Sequence, residues 1–232
     1  MNQRTSEVLR YLGAGKAVTP EALEYAETIR RTADRIFCQL DEQLNPKRLY
    51  RIFVLRHEPG GETTLLAPNG QPVLSLPGQL AKRLLADCQQ AALLLATLGA
   101  PFDALLRTQQ ARDMAEAAIL DACGNVLVEE ICDQLEQKIQ QAYPQLYLTD
   151  RFSPGYGDLP LGLQGDLLAA LDAQRQAGIC LTDSCLMTPA KSVTAIVGLA
   201  HQQQAAKIRG CAYCSLREQC TFRKDGIRCD SF

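Results

Sequence analysis

The chain has 232 residues, 47% of them hydrophobic, and a net charge of −2. A chain of this length buries about 70–75% of its unfolded surface, so it needs no staple to fold, and one domain with at most a small appendage is expected. The balanced charge leaves no electrostatic footprint for nucleic acid, no run of about 18 apolar residues could span a membrane, and the polar start Met1–Glu7 is no signal peptide, so a cytoplasmic location is expected. Ser6 to Tyr11 reads as a short amphipathic helix. Thr19-Pro20-Glu21 is a helix start, with Thr19 as N-cap and Pro20 at the first helical position, and that helix runs to about Leu44, before Asn45-Pro46. Leu49 to Leu55, rich in Tyr, Ile, Phe and Val, reads as a strand. Pro68-Asn69-Gly70, between Leu65-Leu66 and Val73-Leu74, is a hairpin signal. Leu80 to Cys88 reads as a helix. Ala91 to Leu98 is ambiguous by period and strand-like by its flanks.

Phe102 to Tyr143 carries one long helical pattern, closed by Pro144, in which Gly124-Asn125 marks a kink or a close packing contact. Gly165 to Gln176 reads as a helix ending at Gly178. Ile179 to Leu186 and Ser192 to Leu199 read as strands, and Gln202 to Gln204 as a loop. Strands and helices are segregated rather than strictly alternating. That makes the fold class α+β with a mostly antiparallel sheet.

Arg151-Phe-Ser-Pro-Gly-Tyr-Gly-Asp-Leu-Pro160 holds a cation, two prolines, two glycines and an aromatic ring. Proline lacks the amide proton that a helix interior or central strand requires, so this is a stiff loop. Two readings fit its composition: an ordinary turn, or a loop whose planar cation captures a carboxylate. On the preceding helix lie Glu129, Glu130, Asp133 and Glu136, with Glu129 and Asp133 on one face. They form either a solvated acidic face or a face with one carboxylate turned to a ligand cation. His57 and His201, the only histidines, sit at strand ends and read as surface residues. No catalytic triad and no glycine-rich phosphate loop is present.

Ten cysteines in a reducing compartment are not a disulfide framework. Cys38, Cys88, Cys123, Cys132 and Cys180 lie among apolar neighbours and are expected to be buried thiols. Cys211, Cys214, Cys220 and Cys229 follow the spacing C-x2-C-x5-C-x8-C in a polar tail. Four thiolates in a segment too polar to build a core point to a metal, zinc or an iron–sulfur cluster. Reduced, unligated thiols are the alternative. Arg209, Arg217, Arg223, Lys224 and Arg228 would offset the thiolate charge.

Arg151-Phe-Ser-Pro-Gly-Tyr156, taken with the later Leu181-Thr-Asp-Ser-Cys-Leu-Met-Thr-Pro-Ala-Lys-Ser-Val193, resembles the S-adenosylmethionine-binding activation domain of cobalamin-dependent methionine synthase, and more closely the stand-alone form of anaerobic bacteria. The family pattern is Arg-x-x-Pro-Gly-Tyr, then Leu-Thr-Glu-Ser…Met-x-Pro…Ser-Val, with Asp183 here in place of Glu. The resemblance covers residues 1–208 and implies a twisted, mostly antiparallel sheet with long flanking helices. Residues 209–232 are left as a Cys-rich metal module. It also implies that Arg151 pairs with the ligand carboxylate and that Pro154, Gly155, Tyr156, Asp158 and their backbone line the site. Asp133 takes the place of a family helix acid. Two departures stand out. The loop continues Gly157-Asp-Leu-Pro-Leu161 where the family has Pro-Ala-Cys-Pro-Asp-His, and Ala205-Ala206 stand where the family has paired tyrosines.

The function this implies is that of an accessory component of a methyltransferase in methionine biosynthesis. The chain binds S-adenosylmethionine and supports reductive methylation of cob(II)alamin, a cofactor carried by a partner methionine synthase. A [4Fe–4S] cluster on Cys211, Cys214, Cys220 and Cys229 would supply the electron. The alternatives are an activator of another corrinoid methyltransferase, and a non-catalytic ligand-binding protein with a zinc tail.

Overall fold

The computed structural model describes residues 3–14, 19–204 and 208. Two helices open the chain, α1 (Gln3–Tyr11) and α2 (Pro20–Gln43). Thr19 caps α2 as its sequence requires: its side chain accepts from the Ala22 amide at 3.2 Å, one of the donors a helix start leaves unpaired. Then come β1 (Lys47–His57), β2 (Thr63–Leu66), β3 (Pro72–Leu76), α3 (Gln79–Leu85) and β4 (Cys88–Thr97). The second half holds α4 (Ala100–Arg112), α5 (Met114–Ala142), β5 (Tyr147–Leu148), α6 (Gln164–Leu171), α7 (Ala173–Ala177), β6 (Cys180–Leu181), β7 (Met187–Thr188) and β8 (Ser192–Ala200).

Six strands form one sheet in the order β3-β2-β1-β4-β8-β5, and every pairing is antiparallel. The central strand, β4, explains why its apolar run was ambiguous by period. Leu93 and Leu95 point into a core with Phe53, Leu84, Leu167 and Leu171, built by α3 and α6. Ala92 and Leu94 point the other way, onto Leu135 and Ile139 of α5. A strand buried on both faces loses its polar alternation. A third core, where Val8, Ile29, Phe37, Phe102 and Cys123 meet, binds α1, α2, α4 and α5 together.

Three expectations about element boundaries are corrected. The pattern from Phe102 to Tyr143 is two helices, broken at Asp113, whose side chain accepts from the Ala115 and Glu116 amides and starts α5. The signal was in the sequence, since Asp113-x-x-Glu116 is a capping arrangement. The expected helix Gly165–Gln176 is interrupted by Asp172, which adopts a left-handed conformation with φ 54°. The expected strand Ile179–Leu186 is a two-residue β6 followed by a turn. There the Thr182 hydroxyl accepts from the Leu186 amide at 3.1 Å, a local bond that competes with a sheet ladder.

Cys88, Cys123 and Cys132 are buried as expected, whereas Cys38 and Cys180 are exposed, because each lies on the outer side of its element. Burial pushes the thiols of Cys88, Cys123 and Cys132 up to about 12. Only the thiolate is nucleophilic. Iodoacetamide at pH 8 should therefore alkylate Cys38 and Cys180 in the folded protein and spare Cys88, Cys123 and Cys132 until denaturant is added, as read by peptide mass mapping. The raised folded values also set a sign for stability. Their contribution is complete below pH 9.0, the ordinary thiol value, and is lost as pH rises toward about 12.

Candidate ligand cleft

Three segments meet along one side of α5. Backbone pairing first fixes the loop that follows β5. The Thr149 amide donates to the Gly198 carbonyl at 3.0 Å, and Phe152 and Ile196 exchange bonds of 3.0 and 2.7 Å. Arg151 is held between these two anchors. Beyond it the chain closes on itself: the Tyr156 amide donates to Ser153 and the Gly155 amide to Leu159. Gly155 and Gly157 take φ of 91° and 55°, a backbone region costly for any side chain. The Ser153 hydroxyl donates to the Thr194 carbonyl at 2.6 Å. Beside it the buried Gln164 amide donates to the Thr194 hydroxyl at 2.6 Å. This buried network fastens the loop to β8 and α6.

The Arg151 side chain is only 11% exposed and reaches α5. One guanidinium nitrogen donates to Asp133 and Glu136, both at 2.6 Å, and the other to Glu129. The three acids stand at i, i+4 and i+7 of one helix, so a single planar fork can meet them all. Burial opposes the guanidinium charge. The hydrogen bonds it donates to Asp133 and Glu136, with the charges of Glu136 and Glu129, outweigh it and raise the pKa. The acidic face answers Arg151, whose single cation meets three carboxylates.

The opposite wall is α1, which no sequence motif ties to the site. Arg4 donates to Glu130 of α5 at 2.8 Å and to Asp41 of α2 at 2.8 Å, with its guanidinium 5.2 Å from the Phe37 ring centroid. Arg10 pairs with Glu7 at 2.8 and 2.7 Å. The only sequence signal for this wall was the Glu7–Arg10 spacing on an amphipathic segment. Between the walls lies an open cleft of about 780 Å³. Arg4, Arg10, Tyr11, Asp133, Arg151 and Tyr156 are among the residues that line it. Val193, from the second motif, and Ile208, whose amide donates to Asp150 at 2.9 Å, also line it.

Of the candidate residues, Arg151, Asp133 and Tyr156 thus share one cleft. Pro154 is buried under the loop and Gly155 shapes the turn. Asp158 faces elsewhere. It accepts from the Gln79 and Leu80 amides at 2.5 and 3.0 Å, capping α3, and those bonds, Leu80's first, lower its pKa. Ala205-Ala206 and the tail cysteines Cys211, Cys214, Cys220 and Cys229 lie outside the described residues. Among the described residues no cluster of His, Cys, Asp and Glu could hold a metal, and no helix is long and apolar enough to cross a membrane.

Comparison with known proteins agrees with this architecture. Residues 30–211 match the family model described as "Vitamin B12 dependent methionine synthase, activation domain". No curated protein matches. Among solved structures, the chain is similar to the MetH reactivation domain bound to AdoHcy, with a TM-score of 0.70 and 16% identity, over 97% of this chain and 82% of that one. At that identity the likeness is one of fold. The family match spans most of the chain, which therefore belongs to the activation-domain family of vitamin B12-dependent methionine synthase.

Proposed function

We propose that this activation-domain chain binds S-adenosylmethionine in the cleft between α1, α5 and the Arg151 loop, and serves as a detached reactivation subunit for a cobalamin-dependent methionine synthase. One observation carries the ligand reading: a planar cation and surplus carboxylates, Arg151 with Glu129 and Asp133, face one cleft. A ligand that carries a carboxylate, an ammonium and a sulfonium fits such a mixed site. Its carboxylate takes the place of an acid on Arg151, and the released acid turns to the ligand's positive end. Asp133, the most exposed of the three partners, is the acid to be displaced. Exchanging like for like keeps every buried charge paired. The cleft volume lies within the ~300–1,000 Å³ typical of small-molecule sites. The solved relative was crystallised with AdoHcy, the product that methyl transfer from S-adenosylmethionine leaves, which supports the same ligand class.

In the reaction this reading implies, the partner's cob(II)alamin gains one electron from a reductant. The resulting cob(I)alamin takes the methyl group from the sulfonium, and the carbon–sulfur bond breaks with its electron pair left on sulfur. The products are methylcobalamin and S-adenosylhomocysteine. The cobalamin carries the chemistry, and the side chains of this protein position the sulfonium methyl. Residues 1–208 form the activation-domain-like unit in this reading, and residues 209–232 a metal module. Cys211, Cys214, Cys220 and Cys229 would hold a [4Fe–4S] cluster able to supply the electron, or a structural zinc.

Methionine synthase lacking this domain, trapped as cob(II)alamin, provides the test. Adding S-adenosylmethionine, a one-electron reductant and this chain should produce the methylcobalamin spectrum. A spectrum unchanged by the chain removes the subunit role.

A further inference from the structure

The family match begins at residue 30, so α1 lies ahead of it, yet α1 forms a whole wall of the cleft. Its placement is firm. Val8 and Leu9 are buried in the core shared with α2 and α5, and Arg4 ties its first turn to Glu130. At its last turn the Tyr11 ring is 43% exposed, and the Arg10 guanidinium stacks on it, 4.6 Å from the centroid. Glu7 holds that guanidinium in place through two of its nitrogens. Burial and then the charge of Glu129 raise the pKa of the Tyr11 hydroxyl. The hydroxyl therefore stays protonated, under the influence of the Glu129 charge on α5.

Elsewhere the lining mixes charged side chains with Val126, Val193, Ile208 and a second exposed ring, Tyr156; Tyr11 is the ring whose position a neighbouring cation fixes. A flat, neutral, partly exposed ring with a fixed cation over one face is suited to a flat heteroaromatic partner on the other, because every base has a π-face and stacking tolerates many orientations. We propose that α1 supplies the purine platform of the cleft, with Tyr11 stacking on the adenine of the adenosyl ligand and Arg10 holding the ring in position. This rests on the adenosyl-ligand reading above and adds to it the residue that recognises the base.

Calorimetric titration with S-adenosylhomocysteine and with 5′-methylthioadenosine, which lacks the amino-acid end, tests both readings separately. Tyr11→Ala should weaken both ligands by the same factor, about 5- to 100-fold, while Tyr11→Phe binds like wild type. The melting temperature should stay unchanged, since Tyr11 is at the rim. Wild-type protein that binds neither ligand overturns the ligand reading and the platform with it. Wild-type protein that binds both, with Tyr11→Ala binding equally well or losing only S-adenosylhomocysteine, overturns the platform alone.

Discussion

Arg151→Ala should weaken S-adenosylmethionine binding by about 10- to 150-fold, corresponding to the ~1.5–3 kcal/mol of a hydrogen bond to a charged group. Two effects add. The ligand carboxylate loses its planar cation, and Glu129, Asp133 and Glu136 are left facing one another without the charge that holds them together. Arg151→Lys should recover little, because an ammonium is a point charge and cannot span three carboxylates from one plane. Titration calorimetry on the three proteins gives the ratios, and thermal denaturation separates lost binding from lost folding. Equal affinity of Arg151→Ala and wild type would place the ligand outside this cleft. Glu136 is the least exposed of the three acids, so some loss of melting temperature is expected in Arg151→Ala as well.

Phe102→Ala should cost about 3–5 kcal/mol of stability, the range for removing a buried aromatic side chain. Phe102 is fully buried at the start of α4, in the core that joins α4 to α5. Its ring lies on the backbone of Gly124, where an added Cβ would stand 2.3 Å from the ring's Cζ. This decides between the two readings of Gly124-Asn125: the glycine permits close packing, and α5 continues through it unbroken. Gly124→Ala should destabilise by about 1–3 kcal/mol through overpacking, despite alanine's better helix propensity. Combining the two should cost clearly less than their sum, because the new methyl enters the space the ring vacates. Urea unfolding of the four proteins closes the cycle, and full additivity would show that the ring and the glycine do not touch. The consequence reaches the site, since Glu129, Asp133 and Glu136 follow Gly124 on the same helix. Loosening the α4–α5 contact should therefore also weaken ligand binding.

Much of this was legible in the chain. Thr19-Pro20 fixed the start of α2 because a cap and a preset φ act within one turn. The loop at Arg151 was legible because proline and glycine restrict the backbone wherever they stand. The α5 acids were legible as one face because helical spacing is local. The break at Asp113 was written in its capping residues but masked by the continuous Ala, Leu and Gln pattern on either side. The cleft itself was legible only in part. Arg151, Asp133 and Tyr156 were singled out, but Asp158 was grouped with them by proximity in sequence, and it turns instead to α3.

What sequence determined by itself, then, is what short-range chemistry controls: the caps, the stiff loop, the acidic face, the antiparallel class and the motifs that carry the family resemblance. Tertiary structure alone decided who meets whom. The three carboxylates on α5 acquire their meaning from Arg151, 15 to 22 residues away. The α1 wall acquires its meaning from Glu130, 126 residues beyond Arg4. Charges attract at whatever separation the fold brings them to, and no local pattern records which distant partner the packing of α1, α5 and β8 will deliver.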